Sequence, residues 1–130
     1  LSGNPLAMSA GLTLLKILSR KKSLYGDVAR KGKFLADNFR TIAKEESIPL
    51  QVNHIGSVLT VFFTEKEVND YNSAVSSDTK LFAQYFNAML EQGIYLPPSQ
   101  FEAMFISASH TQTDLEKTVN AFRKSLKTLK

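Results

Sequence analysis

Apolar residues recur at helical spacing through four stretches of this chain and crowd together in the shorter segments between them. Asn4 followed by Pro5 reads as a helix start, because an asparagine side chain can cap first-turn amides and proline lacks only an amide that would be orphaned there anyway. Leu6, Ala10, Leu14, Ile17 and Leu18 then fall on one face, which predicts a first helix. A second stripe of Leu24, Val28, Leu35, Phe39 and Ile42 predicts a longer helix from about Ser23 to about Glu46, ended by Ser47-Ile48-Pro49. Gly26 and Gly32 each weaken a helix interior by roughly 1 kcal/mol against alanine, a cost that close packing against a neighbour would explain. Leu50–His54 and Ser57–Thr64 predict two strands around Ile55-Gly56. The run VLTVFF is β-branched, aromatic and nearly continuous, so it implies cover on both faces.

Glu65–Ser77 is polar, broken by Asn, Asp and Ser, and reads as a loop. Ser77 is the expected cap of a third long helix, with Asp78 suited to the positive helix start. Leu81, Phe82, Tyr85, Phe86, Met89 and Leu90 form its wide apolar stripe, and Gly93 stands where a left-handed terminating residue belongs. Short strands are expected at Ile94–Leu96 and Met104–Ser107, on either side of Pro97-Pro98. Thr111 and Asp114 make an aspartate version of the capping box, opening a last helix whose inward face is Leu115, Val119, Phe122, Leu126 and Leu129. The order α-α-β-β-α-β-β-α predicts one α+β domain over residues 1–130: a small antiparallel or mixed sheet with helices packed mainly on one face.

Composition narrows the function more by exclusion than by assignment. With 43% hydrophobic and 22% charged residues, 130 residues suffice for a core without disulfides or metal. There is no cysteine, which excludes disulfides, thiolate nucleophiles and Cys-ligated zinc and fits a reducing compartment. The apolar runs are too short to span a bilayer, and no stretch has the form of a secretory signal. The net charge of +4 includes the run Arg20-Lys21-Lys22. That run falls at a helix end, where cations complement the dipole. No nucleic-acid-binding motif accompanies it, so neither nucleic acid nor membrane is an expected partner. His54 has no carboxylate or second histidine at ligand spacing and reads as structural, so no metal site is predicted.

Gly93–His110 is the one stretch that does not read as ordinary helix or sheet. Two prolines fix the backbone and remove two donors, and Gln100-Phe101-Glu102-Ala103 follows at once. A lone carboxylate behind a rigid corner builds either a binding loop or a plain surface turn. Ser2-Gly3-Asn4 ahead of a helix could present amides to a phosphate or could simply cap the helix.

LSGNPLAMSAG (Leu1–Gly11) resembles the segment that opens the C-terminal part of class III pyridoxal-phosphate aminotransferases. GIYLPPSQFEAMFISASHT (Gly93–Thr111) resembles the glutamate-1-semialdehyde 2,1-aminomutase family within that class, as do VNHIGSVLTVFFT and DYNSAVSSDTKLFAQYFNAMLEQG between them. The resemblance covers essentially the whole chain. It implies the small C-terminal domain of a fold-type I enzyme, a cytoplasmic homodimer that converts glutamate-1-semialdehyde to 5-aminolevulinate in tetrapyrrole (porphyrin) biosynthesis, with pyridoxal 5'-phosphate as the electron sink.

Carried over residue by residue, the resemblance makes Glu102 of PSQFEA a substrate-side carboxylate. Related aminotransferases hold a substrate carboxylate with an arginine in this part of the fold, and a glutamate there would repel it. Ser2, Gly3 and Asn4 match the segment just after a Gly-Thr pair that reaches the cofactor phosphate of the neighbouring subunit. Without that pair they keep a supporting, helix-capping role. The family's cofactor-holding lysine, pyridine-nitrogen aspartate and ring-stacking aromatic lie upstream of Leu1. The resemblance therefore implies a piece of a longer enzyme, inactive alone and without bound cofactor. Two alternatives stay open: the C-terminal domain of another class III aminotransferase, and a non-catalytic folding or dimerisation module with surplus apolar surface on its first two helices.

Overall fold

The computed structural model describes residues 3–129. Its elements run α1 (Pro5–Arg20), α2 (Ser23–Glu45), β1 (Gln51–Ile55), β2 (Val58–Phe62), α3 (Tyr71–Val75), α4 (Thr79–Glu91), β3 (Met104–Phe105) and α5 (Gln112–Lys127). The strands form one antiparallel sheet in the order β1-β2-β3. Its hairpin register runs from Gln51 opposite Phe62 to Ile55 opposite Val58. Gly56 turns the hairpin at φ +57°, a value glycine reaches without a Cβ clash.

Strand alternation puts Val52, Leu59 and Val61 on one face, and all three are buried. Leu35, Phe39 and Ile42 of α2 and Leu115, Phe122 and Leu126 of α5 complete the core on that side. Phe39 and Phe122 stack with ring centroids 3.9 Å apart. Tyr85 of α4 meets Phe122 edge-on at 5.7 Å, which binds the third helix into the same cluster. The α+β architecture with a small antiparallel sheet is as predicted. The opposite face of β2 is covered only in part: Phe62 is buried, but Val58 and Thr60 are half-buried. Gln51 and Asn53, which point to that face, donate to the carbonyls of Glu65 and Val68 and hold the connecting segment alongside.

Close approach of α2 to the hairpin depends on Gly32. A Cβ at this position would fall well inside contact distance of the Gly56 carbonyl oxygen and 3.0 Å from His54 Nε2. That ring nitrogen lies 2.8 Å from the Gly56 carbonyl oxygen, so His54 is a hairpin residue, as its isolation in the chain implied. Gly26 is different: an added Cβ would meet only the Arg30 side chain, at 3.7 Å.

Local caps follow the sequence closely. Asn4 accepts from the amides of Leu6 and Ala7. Thr111 and Asp114 form the reciprocal capping box, and the Thr111 hydroxyl and amide hold the Asp114 carboxyl below the usual carboxylate range. Gly93 lies at φ +77°, with its own amide bonded to Leu90 O and that of Ile94 to Met89 O. The same pattern ends α2 with Ser47 at φ +56° in the left-handed position, where glycine would be the usual choice.

Four expectations need correction. The cap of α4 is Asp78, which accepts from Lys80 and Leu81 amides; a carboxylate is the stronger acceptor, and Ser77 instead turns its hydroxyl to Ala74 O. The segment read as a loop contains α3, opened by a capping box between Asp70 and Ser73; five residues are too few to show a period. Ile94–Leu96 is not a strand. The prolines that follow it supply no amides for a ladder, and its Leu96 is buried in the core instead. Finally, β3 ends at Phe105, although the Ile106 amide still reaches Ser57 O. The first helix forms as predicted but buries none of its residues.

Replacing Gly32 with alanine is expected to destabilise the domain by about 1–3 kcal/mol, the usual range for overpacking a tight contact. Gly26→Ala should instead stabilise by up to about 1 kcal/mol through helix propensity. Urea unfolding of the two variants checks the contrast, and equal effects would mean that the α2–hairpin contact is looser than described.

Candidate functional site

Glu102 lies in the loop joining α4 to β3, beyond the proline pair. The turn is defined by the Glu102 amide on Ser99 O at 3.1 Å and the Phe101 amide on Ser99 Oγ at 3.2 Å. Thr60 Oγ1 of β2 makes a longer contact of 3.4 Å with the Glu102 carbonyl. Within this turn Gln100 points inward and is buried, while Phe101 and Glu102 are exposed. The Glu102 carboxylate has no hydrogen-bond or ion-pair partner among the described residues. A carboxylate left this free is available to a ligand.

Beside it lies a cleft of about 420 Å³. Its inner wall is apolar, with Leu35 and Phe39 from α2, Leu59 from β2 and Met104 from β3. Tyr95, Glu102 and His110 are its titratable groups, and no lysine or arginine lines it. Lys31 does come near this region, but its ammonium donates to the carbonyls of Ala108 and His110 and ties α2 to the loop before α5. The His110 ring accepts from the Ser107 amide through Nδ1, at 3.0 Å. An apolar wall with one free carboxylate suits a cationic or neutral group and disfavours an anion.

A much smaller void, about 10 Å³, shares Glu102 with the cleft and is lined also by Thr60, Tyr85 and Ser99. Tyr85 is fully buried, its hydroxyl has no protein partner, and burial pushes its phenol far up, so it stays neutral. The void is about the size that one water requires.

The other sequence candidates do not join this site. Ser2 lies outside the described residues. Gly3 takes φ +83° and Asn4 caps α1, so two of the first-turn amides are already used; neither residue lines the cleft. Pyridoxal phosphate requires an amine to hold its aldehyde and amides or cations for its phosphate. No lysine or arginine lines the cleft, so its residues lack the amine that would hold the aldehyde and do not by themselves fit that cofactor. Among the described residues no cluster could hold a metal ion, and no helix is long and apolar enough to cross a membrane. The burial of Tyr85 follows from its place in the apolar stripe of α4, whereas the burial of Gln100 was not foreseen. Gln100 read only as the polar neighbour of Glu102, since no periodicity separates inward from outward positions in a turn.

No family model matches the chain. The chain is 55% identical over 120 residues to the glutamate-1-semialdehyde 2,1-aminomutase of Sulfurihydrogenibium sp. (strain YO3AOP1), covering 92% of this chain and 28% of that protein. Against the enzyme of the same name from Chlorobium luteolum it is 52% identical over 121 residues, covering 93% and 28%. For that of Ruminiclostridium cellulolyticum the values are 45% over 126 residues, 97% and 29%. The chain thus spans under a third of the length of the relatives it matches. Among solved structures, an omega-transaminase from Sphaerobacter thermophilus superposes with a TM-score of 0.81 at 21% identity, over 98% of this chain and 28% of that one. A glutamate-1-semialdehyde-aminomutase from Pseudomonas aeruginosa PAO1 gives 0.74 at 17% identity, over 85% and 24%. These two share the fold.

Tyr85→Phe removes a buried hydroxyl that has no protein partner, so thermal unfolding should show unchanged stability or a gain of about 1 kcal/mol. A loss of that size would mean that the hydroxyl is bonded to a water in the void.

Proposed function

This chain is a relative of the glutamate-1-semialdehyde 2,1-aminomutases, and from that premise we propose that it is the C-terminal domain of such an enzyme. Identity of 45–55% across nearly the whole chain carries the reading. The whole enzyme converts glutamate-1-semialdehyde to 5-aminolevulinate as a cytoplasmic homodimer. Pyridoxal phosphate, when bound, supplies the electron sink. The lysine that holds it, and the rest of its site, belong to sequence outside these 130 residues, so this chain alone is inactive.

In that enzyme Glu102 faces the substrate. Two like charges 4 Å apart repel by about 4 kcal/mol at an effective dielectric constant of 20. A free carboxylate at the cleft therefore turns the substrate's own carboxylate away and leaves the amino-bearing end to approach. The apolar wall formed by α2 and β2 excludes water from that side and strengthens the discrimination.

Glu102→Gln in the full-length polypeptide keeps the shape and removes the charge. It should lower kcat/KM for glutamate-1-semialdehyde by roughly tenfold or more, equivalent to about 1.4 kcal/mol of transition-state stabilisation, and improve acceptance of substrates with a second carboxylate. Unchanged kinetics for both would sink the role of Glu102. Turnover without any external amino donor distinguishes the aminomutase from another class III aminotransferase.

A second reading, as a folding or dimerisation module, has its own support in α1. Leu6 and Leu15 on this helix are 80% and 65% exposed, and Leu12, Leu14 and Ile17 are exposed as well. Such a surface favours association. Sedimentation of the 130-residue chain is expected to show concentration-dependent self-association that Leu12→Lys with Leu15→Lys abolishes. A single monomeric species at all concentrations would remove this reading.

A further inference from the structure

Gln100 stands apart from the loop that carries it. Its neighbours Phe101 and Glu102 are exposed, whereas Gln100 is 2% exposed. Its side-chain amide nitrogen donates to Ser77 Oγ, a residue 23 positions earlier and itself buried. The Ser77 hydroxyl in turn donates a hydrogen bond to Ala74 O near the end of α3. The next residue, Asp78, donates its amide to Phe63 O just beyond β2 and caps α4. A continuous path of hydrogen bonds and covalent chain therefore leads from the sheet and α4 through Ser77 to Gln100, two residues before Glu102.

Leu96 anchors the near end of the loop in the core, and beyond the prolines the remaining hydrogen-bonded ties are slight. Its turn bonds around Ser99 are internal, Thr60 reaches it at 3.4 Å, and the two prolines have no amides to offer. The carbonyl oxygen of the Gln100 side chain is buried and has no partner. An unsatisfied buried acceptor is unfavourable, and a leucine would fill a similar volume without one. Burial alone thus gives no reason for an amide here. Direction does, because an apolar side chain can slide and rotate in its pocket while a hydrogen bond to Ser77 fixes one arrangement.

We propose that Gln100 is the positioning residue of the site, latched to Ser77 so that Glu102 is held outward at the cleft. This rests on the reading of Glu102 as the substrate-facing carboxylate and adds what holds it there.

The test compares Gln100→Leu, Ser77→Ala and the double variant in the full-length polypeptide that carries this chain. Hydrogen exchange of the amides of residues 101–104 should become roughly tenfold faster in each variant while α2 stays protected. The thermal midpoint of Gln100→Leu should be unchanged or higher, and its kcat/KM for glutamate-1-semialdehyde should fall roughly tenfold, equivalent to about 1.4 kcal/mol. The double variant should be no worse than the poorer single one, since both break the same bond. Additive losses, unchanged exchange, or kinetic losses that follow a falling thermal midpoint would overturn the latch. A silent Glu102→Gln alongside faster loop exchange would leave the latch standing and remove the substrate role of Glu102. A damaging Glu102→Gln with no change in either latch variant would do the reverse.

Discussion

The approach of α2 to the β1–β2 hairpin at Gly32 is the constraint on which the rest of the domain depends. Because no Cβ stands between this helix and the Gly56 carbonyl, the Leu35–Phe39 turn of α2 comes down onto Leu59 and Val52. Phe39 can then stack on Phe122 of α5, and Tyr85 of α4 closes the cluster edge-on. The same descent supplies Leu35, Phe39 and Leu59 to the cleft beside Glu102. Core and candidate site share a wall, so a shift of α2 by the width of a methyl group would alter both.

Several features lower the stability of the domain considered by itself. The first helix presents leucines outward, and the Tyr85 hydroxyl and the Gln100 side-chain carbonyl are buried without partners. Each costs free energy that a chain shaped only by folding would recover with a small substitution. Tyr85 and Gln100 gather with the water-exposed carboxylate of Glu102 around the proline corner. Their concentration there agrees with a loop shaped by what binds beside it. The exposed first helix is a separate matter and agrees with a chain that spans under a third of the length of its relatives.

The resemblance in PSQFEA and the free carboxylate of Glu102 support each other from independent directions. The motif alone names a residue without showing its surroundings. The structure alone shows an unpaired carboxylate beside an apolar cleft, which many surface turns could also present. Together they give one position a charge, a wall and an orientation.

What the sequence by itself determined are the features made within a few residues: four long helices, the hairpin, the Asn4 and Thr111–Asp114 caps, and the left-handed Gly93. These rest on hydrogen bonds between near neighbours and on the 3.6 period, both written directly in the order of residues. The tertiary structure alone decided that Gly32 and not Gly26 marks a close contact, that Gln100 faces in while Glu102 faces out, that Ile94–Leu96 fills the core without joining the sheet, and that α1 buries nothing. Each of those depends on a surface brought from far along the chain, or on its absence. No local period encodes which distant surface will arrive.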